Sequence, residues 1–474
     1  MNCNIRDFGA VGDGEHNDTA AIQRSIDAAA QEGGGRVVLP PGVYCSGTIF
    51  LRDNVELHLQ GGAELLGSPR KEDYTNRWNA PYDCGCISEY ASEMHLIYSW
   101  RQKNIAITGQ GTVNGNGTAF FDLNAEIHPR RPNWGYANRW RPGQMVALLE
   151  CENVRIGGSA HTTLDHNIPF YPTQRRIAMN ITDIRIRNDY RTPNGDGIDP
   201  DCCTNVRIEN CDIQAGDDCI ALRANRGKTG LMLDLENVVI ANCILDTPLG
   251  GVRFGPSGEQ SVLRNITVSN CVIRHAGKGL LFSLWHGSVW KKGCLIENVR
   301  ISNLVIHADA PLRMYIMDGC GGTECGFRRI HISGITAFGN DTCTLLGGGD
   351  GVFEDVCISD FDLTLTGLEP CLGAKMVQEA AGSAFAVREA KNIQFRNVRI
   401  KSEKAMLKHV IDAEEVDGLK IADCELRTGV LSGDSLRCVN VRSLQIENTV
   451  FPERRNDREQ IRNEKHNETR RIRI

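Results

Sequence analysis

A short phrase of polar and apolar residues recurs along most of the chain. An Asn is followed by an apolar residue, a variable residue and a second apolar residue, in copies that begin at Asn54, Asn104, Asn153, Asn205, Asn237, Asn265, Asn298 and Asn392. Between Asn153 and Asn298, where Asn180 also marks a unit, the spacings are 27, 25, 32, 28 and 33 residues. A period of about 20 to 50 residues is typical of a repeat protein, in which each unit stacks on the one before.

Each repeat consists of strand and turn signals alone. Apolar and β-branched residues alternate at period two, and Asn, Gly and Asp fill the connections. The repeat lacks the helix that leucine-rich and helical repeats require, and it lacks the regular blade of about 40 residues that a propeller requires. The pattern therefore predicts an all-β protein, a parallel β-helix of about ten coils that buries one apolar face of each strand.

One stretch near the N-terminus is helical instead. Asn17 or Asp18 can cap a helix that runs to about Gln31. Its apolar face would be formed by Ile22, Ile26, Ala29 and Ala30. Because a solenoid needs covered ends, this helix is interpreted as an N-terminal cap.

These patterns divide the chain into three parts. Residues 1–50 are predicted to form the cap and residues 51–451 the β-helix, with loops leaving the coil at 69–100 and 115–143. Residues 452–474 carry charges of both signs and few apolar residues, so they are interpreted as a solvated tail or a partial C-terminal cap.

Composition excludes several classes of function. The formal net charge of the 474 residues is −6, which does not favour a nucleic-acid or anionic-membrane partner. No run of 18 apolar residues predicts a spanning helix, and the N-terminus shows no basic-then-apolar signal segment. The protein is therefore expected in the cytoplasm, or outside the cell with its signal segment already removed. Oligomeric state is not predicted.

Cysteine usage agrees with a reducing compartment. The chain has 19 cysteines, an odd number, without the paired Cys-x-x-Cys motifs of a zinc site. Cys211, Cys243 and Cys271 recur at one position of the repeat, each after an Asn. They are interpreted as a buried ladder of small side chains, and not as metal ligands or disulfides.

Two acidic turns are the strongest candidates for chemistry. Asp196 lies in one turn, and Asp217 and Asp218 lie in a second turn one repeat later, 21 residues after Asp196. If each repeat is one coil, the two turns are neighbours about 4.8 Å apart along the stack. Each alone could be only a turn, since Asp and Gly favour turns. Together they predict a carboxylate cluster suited to acid–base cleavage of a glycosidic bond.

A family resemblance follows from five motifs. They are Phe8-Gly9-Ala10, Gly12-Asp13-Gly14, Pro40-Pro41-Gly42-Val43-Tyr44, Asn194-Gly195-Asp196-Gly197-Ile198-Asp199-Pro200 and Gly216-Asp217-Asp218-Cys219-Ile220-Ala221. The chain resembles glycoside hydrolase family 28, the polygalacturonase-like family of right-handed parallel β-helices, from about residue 3 to about residue 280. The resemblance implies that Asp217 protonates the leaving oxygen while Asp196 and Asp218 hold and activate water. It also implies inversion at the anomeric carbon, whereas stacked turns alone suggest the short carboxyl separation usual for retention.

The substrate side of the resemblance is altered. Gly250 stands where the family carries the His of a Gly-His-Gly turn, and Leu281 and Ser283 stand where an Arg-x-Lys strand binds the sugar carboxylate. The substrate is therefore expected to differ from plain polygalacturonate, or to have its carboxylate held elsewhere. Candidate substrate-binding residues are Asn194, Arg223, Arg253, His275, Lys278, Trp285 and His286.

The leading hypothesis is a glycosidase acting on α-linked, pectin-derived or related oligosaccharides, without a cofactor or metal. A cytoplasmic location favours short oligosaccharides and an exo mode. Two alternatives remain. One is a β-helix polysaccharide lyase, which would use a basic residue and often Ca²⁺. The other is a β-helix that binds glycans without cleaving them, because one fold can host several functions.

Overall fold

The computed structural model describes most of the chain in two compact units, residues 1–247 and 248–474. The described residues are 1–76, 94–120, 142–156, 184–190, 195–224, 234–255, 261–284, 294–316, 325–348, 351–366, 382–402, 407–428, 431–451 and 461–464. Three predicted substrate-binding residues, Asn194, Trp285 and His286, lie outside these ranges.

The described part of residues 1–247 contains one α-helix, three short 3₁₀-helices and nineteen strands. The helix α1 spans Thr19–Gln31, and the 3₁₀-helices span Ile5–Phe8, Lys71–Asp73 and Gly117–Phe120. The strands are β1 Asn2–Asn4, β2 Asp13–Asn17, β3 Gly35–Leu39, β4 Gly42–Ser46, β5 Ile49–Phe50, β6 Val55–Leu59, β7 Ala63–Gly67, β8 Ile97–Trp100, β9 Lys103–Gly109, β10 Thr112–Asn114, β11 Val146–Leu149, β12 Glu152–Ile156, β13 Arg185–Arg187, β14 Ile198–Asp201, β15 Thr204–Glu209, β16 Asp212–Gln214, β17 Ile220–Leu222, β18 Leu235–Ala241 and β19 Ile244–Asp246.

These strands stack in three parallel ladders. One runs β1–β3–β6–β9–β12–β15–β18. The second runs β2–β4–β7–β10–β13–β16–β19. The third runs β5–β8–β11–β14–β17. Because successive strands of a ladder belong to successive repeats, the unit is a parallel β-helix, as the repeat predicts.

The repeated Asn occupies a corner at or near the start of its strand. Asn54, Asn104, Asn205 and Asn237 all have positive φ, in the left-handed region that Asn adopts more readily than most residues. Their side chains also bond along the stack: Asn104 Nδ2 donates to Asn54 Oδ1 at 2.7 Å, and Asn237 Nδ2 donates to Asn205 Oδ1 at 2.8 Å. The sequence phrase therefore marks a turn conformation and a hydrogen-bonded ladder at the same position.

The helix α1 lies close to its predicted bounds and packs against β1, β3, β5 and β6. Ile22, Ile26 and Ala29 are buried, whereas Ala30 is half-buried. Asp18 precedes the helix, and its carboxylate accepts hydrogen bonds from the amides of Val11 and Gly12. Whether the helix protects the end of the solenoid stays a prediction.

Residues 248–474 continue the same kind of coil with longer strands. They are β20 Gly250–Phe254, β21 Val262–Ser269, β22 Val272–Leu284, β23 Leu295–Ile316, β24 Gly326–Gly339, β25 Cys343–Leu346, β26 Val352–Leu365, β27 Ser383–Ser402, β28 His409–Ala422, β29 Glu425–Thr428, β30 Leu436–Val439, β31 Arg442–Glu447 and β32 Ile461–Glu464. The strand pairings within this unit are parallel. The long strand β23 pairs along its length with β21, β22, β24 and β25. Within the segment interpreted as a tail, β32 pairs with β30.

Aromatic rings fill part of the second unit's interior. Phe254 and Phe282, on successive strands, stack with centroids 4.0 Å apart, and Phe327 meets Phe282 edge-on at 5.9 Å. Such contacts add to the burial of apolar area. The prediction that Cys211, Cys243 and Cys271 are buried and outside disulfides is confirmed. No helix among the described residues has the length and apolar character to cross a membrane.

The inward and outward faces of β15 give a first test of the fold. Ile208 is fully buried and its neighbour Arg207 is exposed. We expect Ile208→Ala to lower the free energy of unfolding by about 2–5 kcal/mol, because a cavity opens in the stack. The control Arg207→Ala should change it by less than about 0.5 kcal/mol. Urea denaturation measures both, and equal effects would contradict the assigned faces.

Candidate active site

The two acidic turns directly precede β14 and β17, which are neighbouring strands of the third ladder. Asp196 lies two residues before β14, and Asp217 and Asp218 lie just before β17. Backbone hydrogen bonds join the turns: the Gly197 amide donates to the Asp218 carbonyl at 2.9 Å, and the Ile198 amide donates to the Cys219 carbonyl at 3.1 Å. The ladder register therefore brings the two turns together, as the repeat spacing predicts.

Gly197 makes this close approach possible. A Cβ at this position would lie 2.5 Å from the Cys219 carbonyl oxygen and 2.7 Å from Cγ2 of Ile213. Both contacts are shorter than van der Waals packing allows, and the nearer one is to backbone. Position 197, next to Asp196, therefore requires a glycine, because a side chain there would clash with the neighbouring coil.

The three predicted aspartates form one cluster. One carboxylate oxygen from each of Asp196, Asp217 and Asp218 lies within 4.8 Å of the others. All three residues are at most 3% exposed. The predicted convergence is confirmed in geometry, whereas the individual roles of the three residues stay predictions.

The cluster has a buried counter-ion in Arg223. Its Nη2 donates to Asp196 Oδ2 at 2.7 Å, and its Nε lies 3.0 Å from Asp199 Oδ2. Arg223 is 1% exposed and Asp199 is fully buried. Arg223 is thus the ion-pair partner of an acidic site residue. The sequence predicted a contact between Arg223 and the substrate, but not this ion pair. That contact stays a prediction.

Asp199 is a site residue that the sequence reasoning missed. Burial raises the pKa of its carboxyl well above the usual range, and the neighbouring charge of Asp196 raises it further, while Arg223 acts in the opposite direction. Both effects favour the protonated form of this carboxyl. The signal was available, because alternation along β14 places Asp199 and Asp201 on the same side of the strand.

Two further contacts fix the acidic turns. The Thr247 hydroxyl donates to the backbone carbonyl of Asp217, and Asn188 Nδ2 donates to the Gly195 carbonyl at 3.3 Å. Both residues are buried. The turns are therefore held by these two side chains as well as by the ladder.

The predicted substrate-binding residues of the second unit have different environments. Arg253 is half-buried, and its Nε donates to Ser283 Oγ at 3.3 Å. Lys278 is buried in β22, in register with Gly250. His275 is exposed, has positive φ, and lies where the pairing of β22 with β23 shifts register. Their contact with a substrate stays a prediction.

The oxygen atoms of Asp196, Asp217 and Asp218 are close enough to share a divalent cation. An acidic cluster by itself assigns no metal.

Comparison of the sequence with models of protein families shows which β-helix family this chain belongs to. Residues 74–336, more than half of the chain, match the model of glycosyl hydrolases family 28. The chain belongs to this family. Residues 2–72 match a second model, described as rhamnogalacturonase A/epimerase, pectate lyase-like. The family 28 match includes both acidic turns, and it confirms the resemblance seen in the motifs.

Curated relatives agree with the family. The chain is 28% identical over 338 residues to a probable polygalacturonase of Vitis vinifera, covering 70% of this chain and 59% of the relative. It is 27% identical over 343 residues to the exo-poly-alpha-D-galacturonosidase of Dickeya chrysanthemi, covering 68% and 53%. The chain thus spans little more than half the length of these relatives.

A solved structure supports the fold. The family 28 exopolygalacturonase of Yersinia enterocolitica aligns with a TM-score of 0.58 at 17% identity, covering 95% of this chain and 78% of that one. At this identity the likeness concerns the fold alone.

The glycine next to Asp196 gives a direct test of the site's backbone. We expect Gly197→Ala to lower the free energy of unfolding by about 1–3 kcal/mol, because the added Cβ meets backbone that cannot move without breaking the ladder. The control is Gly61→Ala, where the nearest atom would lie at 3.7 Å. Urea denaturation of both variants checks the prediction. Equal stability would show that the turns are looser than described.

Proposed function

We propose that this protein is a glycosidase that hydrolyses α-linked, pectin-derived or related oligosaccharides. The observation that carries the proposal is the buried cluster of Asp196, Asp217 and Asp218, with oxygens within 4.8 Å of one another. Hydrolysis of a glycosidic bond needs one carboxyl group to protonate the leaving oxygen and another to assist the attack. Family membership and the names of the relatives support the same reaction class.

The proposed roles follow the family resemblance. Asp217 protonates the leaving oxygen, and Asp196 and Asp218 hold and activate the attacking water. The contact of Asp196 with Arg223 supports this division, because the guanidinium supplies the counter-ion that a buried, charged carboxylate requires.

The proposed substrate site differs from the usual family pattern. Leu281 and Ser283 cannot form the ionic contact that an Arg-x-Lys strand makes with a sugar carboxylate. Ser283 instead accepts a hydrogen bond from Arg253. We therefore propose a substrate other than plain polygalacturonate, or one whose carboxylate is bound by other cations such as Arg253.

An exo mode and inversion complete the proposal. Relatives named for exo action include the Dickeya chrysanthemi enzyme and the Cochliobolus carbonum exopolygalacturonase. Inversion rests on the family resemblance alone, since oxygens within 4.8 Å are nearer to the separation that usually accompanies retention.

A product screen with one substitution tests the reaction class. Wild type and Asp217→Asn are incubated with a panel of pectin-derived and neutral α-linked oligosaccharides, with and without chelator. We expect new reducing ends from wild type in both conditions. The variant should be at least about 10²-fold slower, because loss of a general acid typically costs about 10²–10⁴ in rate.

The control is Asp7→Asn, which changes an exposed carboxylate and should leave turnover unchanged. Activity retained by Asp217→Asn would refute the assigned acid. An unsaturated, ultraviolet-absorbing product that disappears with chelator would instead indicate a lyase. Binding without any product would indicate a glycan-binding β-helix.

Stereochemistry is tested on the first turnovers. Proton NMR of the anomeric region, recorded before mutarotation, should show the β-anomer formed from an α-linked substrate. The reducing-end size distribution in the same samples should show release from a chain end. An α-anomer would assign retention, in agreement with the short oxygen separation, and random internal cleavage would contradict the exo mode.

A further inference from the structure

A row of buried charges lies beside the proposed catalytic aspartates. Arg223 stands between two carboxyl groups: its Nη2 contacts Asp196 at 2.7 Å and its Nε lies 3.0 Å from Asp199. Each of these three side chains is at most 2% exposed. Contacts of this length in a buried site restrict the side chains to one arrangement.

The three residues come from fixed places in the ladder. Asp199 belongs to β14, in register with Ala147 of β11, and Arg223 directly follows β17. The backbones meet next to these side chains, since Arg223 bridges Asp201 in parallel register and its amide donates to the Pro200 carbonyl at 3.1 Å. Arg223 is therefore anchored at its main chain, and its guanidinium crosses diagonally to reach both carboxyl groups.

One guanidinium cannot neutralise two carboxylates. A second buried negative charge without its own cation would cost several kcal/mol. A neutral Asp199 removes this cost, and burial together with the Asp196 charge raises its pKa in the required direction. The charge of Arg223 then acts mainly on Asp196, while an uncharged Asp199 carboxyl lies 3.0 Å from Nε.

We propose that Asp199 and Arg223 are a positioning pair: Asp199 fixes the plane of the Arg223 guanidinium, and Arg223 fixes the Asp196 carboxylate for its work on water. This inference rests on the proposed function, because it concerns the reactive geometry of Asp196. Neither residue needs to touch the substrate. Both are distinct from the three aspartates to which the family resemblance assigns the chemistry.

The choice of arginine is part of the proposal. A guanidinium presents Nε and Nη2 in one rigid plane, so it can contact two carboxyl groups at fixed angles. A lysine would supply the same charge from a single nitrogen on a flexible stem. Comparing the two therefore separates positioning from charge alone.

The first pair of variants tests Asp199. Asp199→Asn keeps a neutral oxygen beside Nε, so kcat should stay within about threefold of wild type. Asp199→Ala removes that oxygen, and kcat should fall about tenfold or more with KM little changed, because misplacement of a reacting group slows the chemical step. Loss of activity in Asp199→Asn as large as in Asp217→Asn would overturn the proposal, since it would assign a charged, reacting Asp199.

The second pair tests Arg223. Arg223→Lys keeps the charge and should lower kcat about tenfold, whereas Arg223→Gln should lower it about 10²-fold. With the cation removed, the Asp196 carboxylate loses its partner, so the fall in Arg223→Gln should be in kcat with KM little changed. Full activity in Arg223→Gln would overturn the pairing.

Unfolding measurements test the charge arrangement of Asp196, Asp199 and Arg223 independently of the proposed function. Thermal unfolding at neutral pH should be nearly unchanged by Asp199→Asn and clearly lowered by Arg223→Gln, which leaves the Asp196 charge without its partner. If wild type cleaves nothing, the glycosidase proposal fails while this charge arrangement is still decided by unfolding. If Arg223→Gln does not fold, the two Asp199 variants decide the question. A large destabilisation by Asp199→Asn would show that Asp199 is ionised and would overturn the proposal.

Discussion

The parallel register between β14 and β17 is the constraint on which the site depends. Each turn of the coil advances by one strand spacing, about 4.8 Å, so turns at the same place in successive repeats become neighbours. Asp196 and the Asp217–Asp218 pair meet for this reason, and the amide of Gly197 binds the second turn directly. A shift of one residue in either strand would reverse the faces of its side chains and disperse the cluster.

Bringing carboxylates together in a buried place opposes folding, so the surroundings must offset it. The main offset is Arg223, whose guanidinium contacts Asp196 and Asp199. Its own burial would be costly without those partners. The apolar stack below supplies the remaining support, with Ile198 and Ile220 fully buried in register beneath the acidic turns. The regular β-helix therefore stabilises a local cluster of like charges whose mutual repulsion opposes folding.

Much of this arrangement could be predicted from the sequence, because it follows from periodicity. The repeated Asn predicted the corners, the alternating apolar residues predicted the inward faces, and the 21-residue step predicted that Asp196 would meet Asp217 and Asp218. The partners of these residues were harder to predict. Asp199 lies inside a strand and Arg223 at the end of another, and a diagonal contact between them depends on side-chain direction and burial, which a repeat pattern does not report. The bounds of the second unit's long strands were not predicted, since corners such as Asn298 and Asn303 lie inside one long strand there.

The β-helix backbone constrains the acidic turns more strictly than it constrains the side chain at Leu281. Asp196 and Asp218 belong to turns joined by backbone hydrogen bonds and by a glycine that admits no side chain, so changes there disturb the ladder itself. Leu281 sits in an uninterrupted strand whose pairing is made by main-chain atoms whatever the side chain is. Arg253 and Arg313 occupy the places in register on either side of Leu281, so the row retains positive charge although its central place is apolar. Side chains along this row can be replaced without changing the ladder, whereas moving the aspartates would require the turns to be rebuilt.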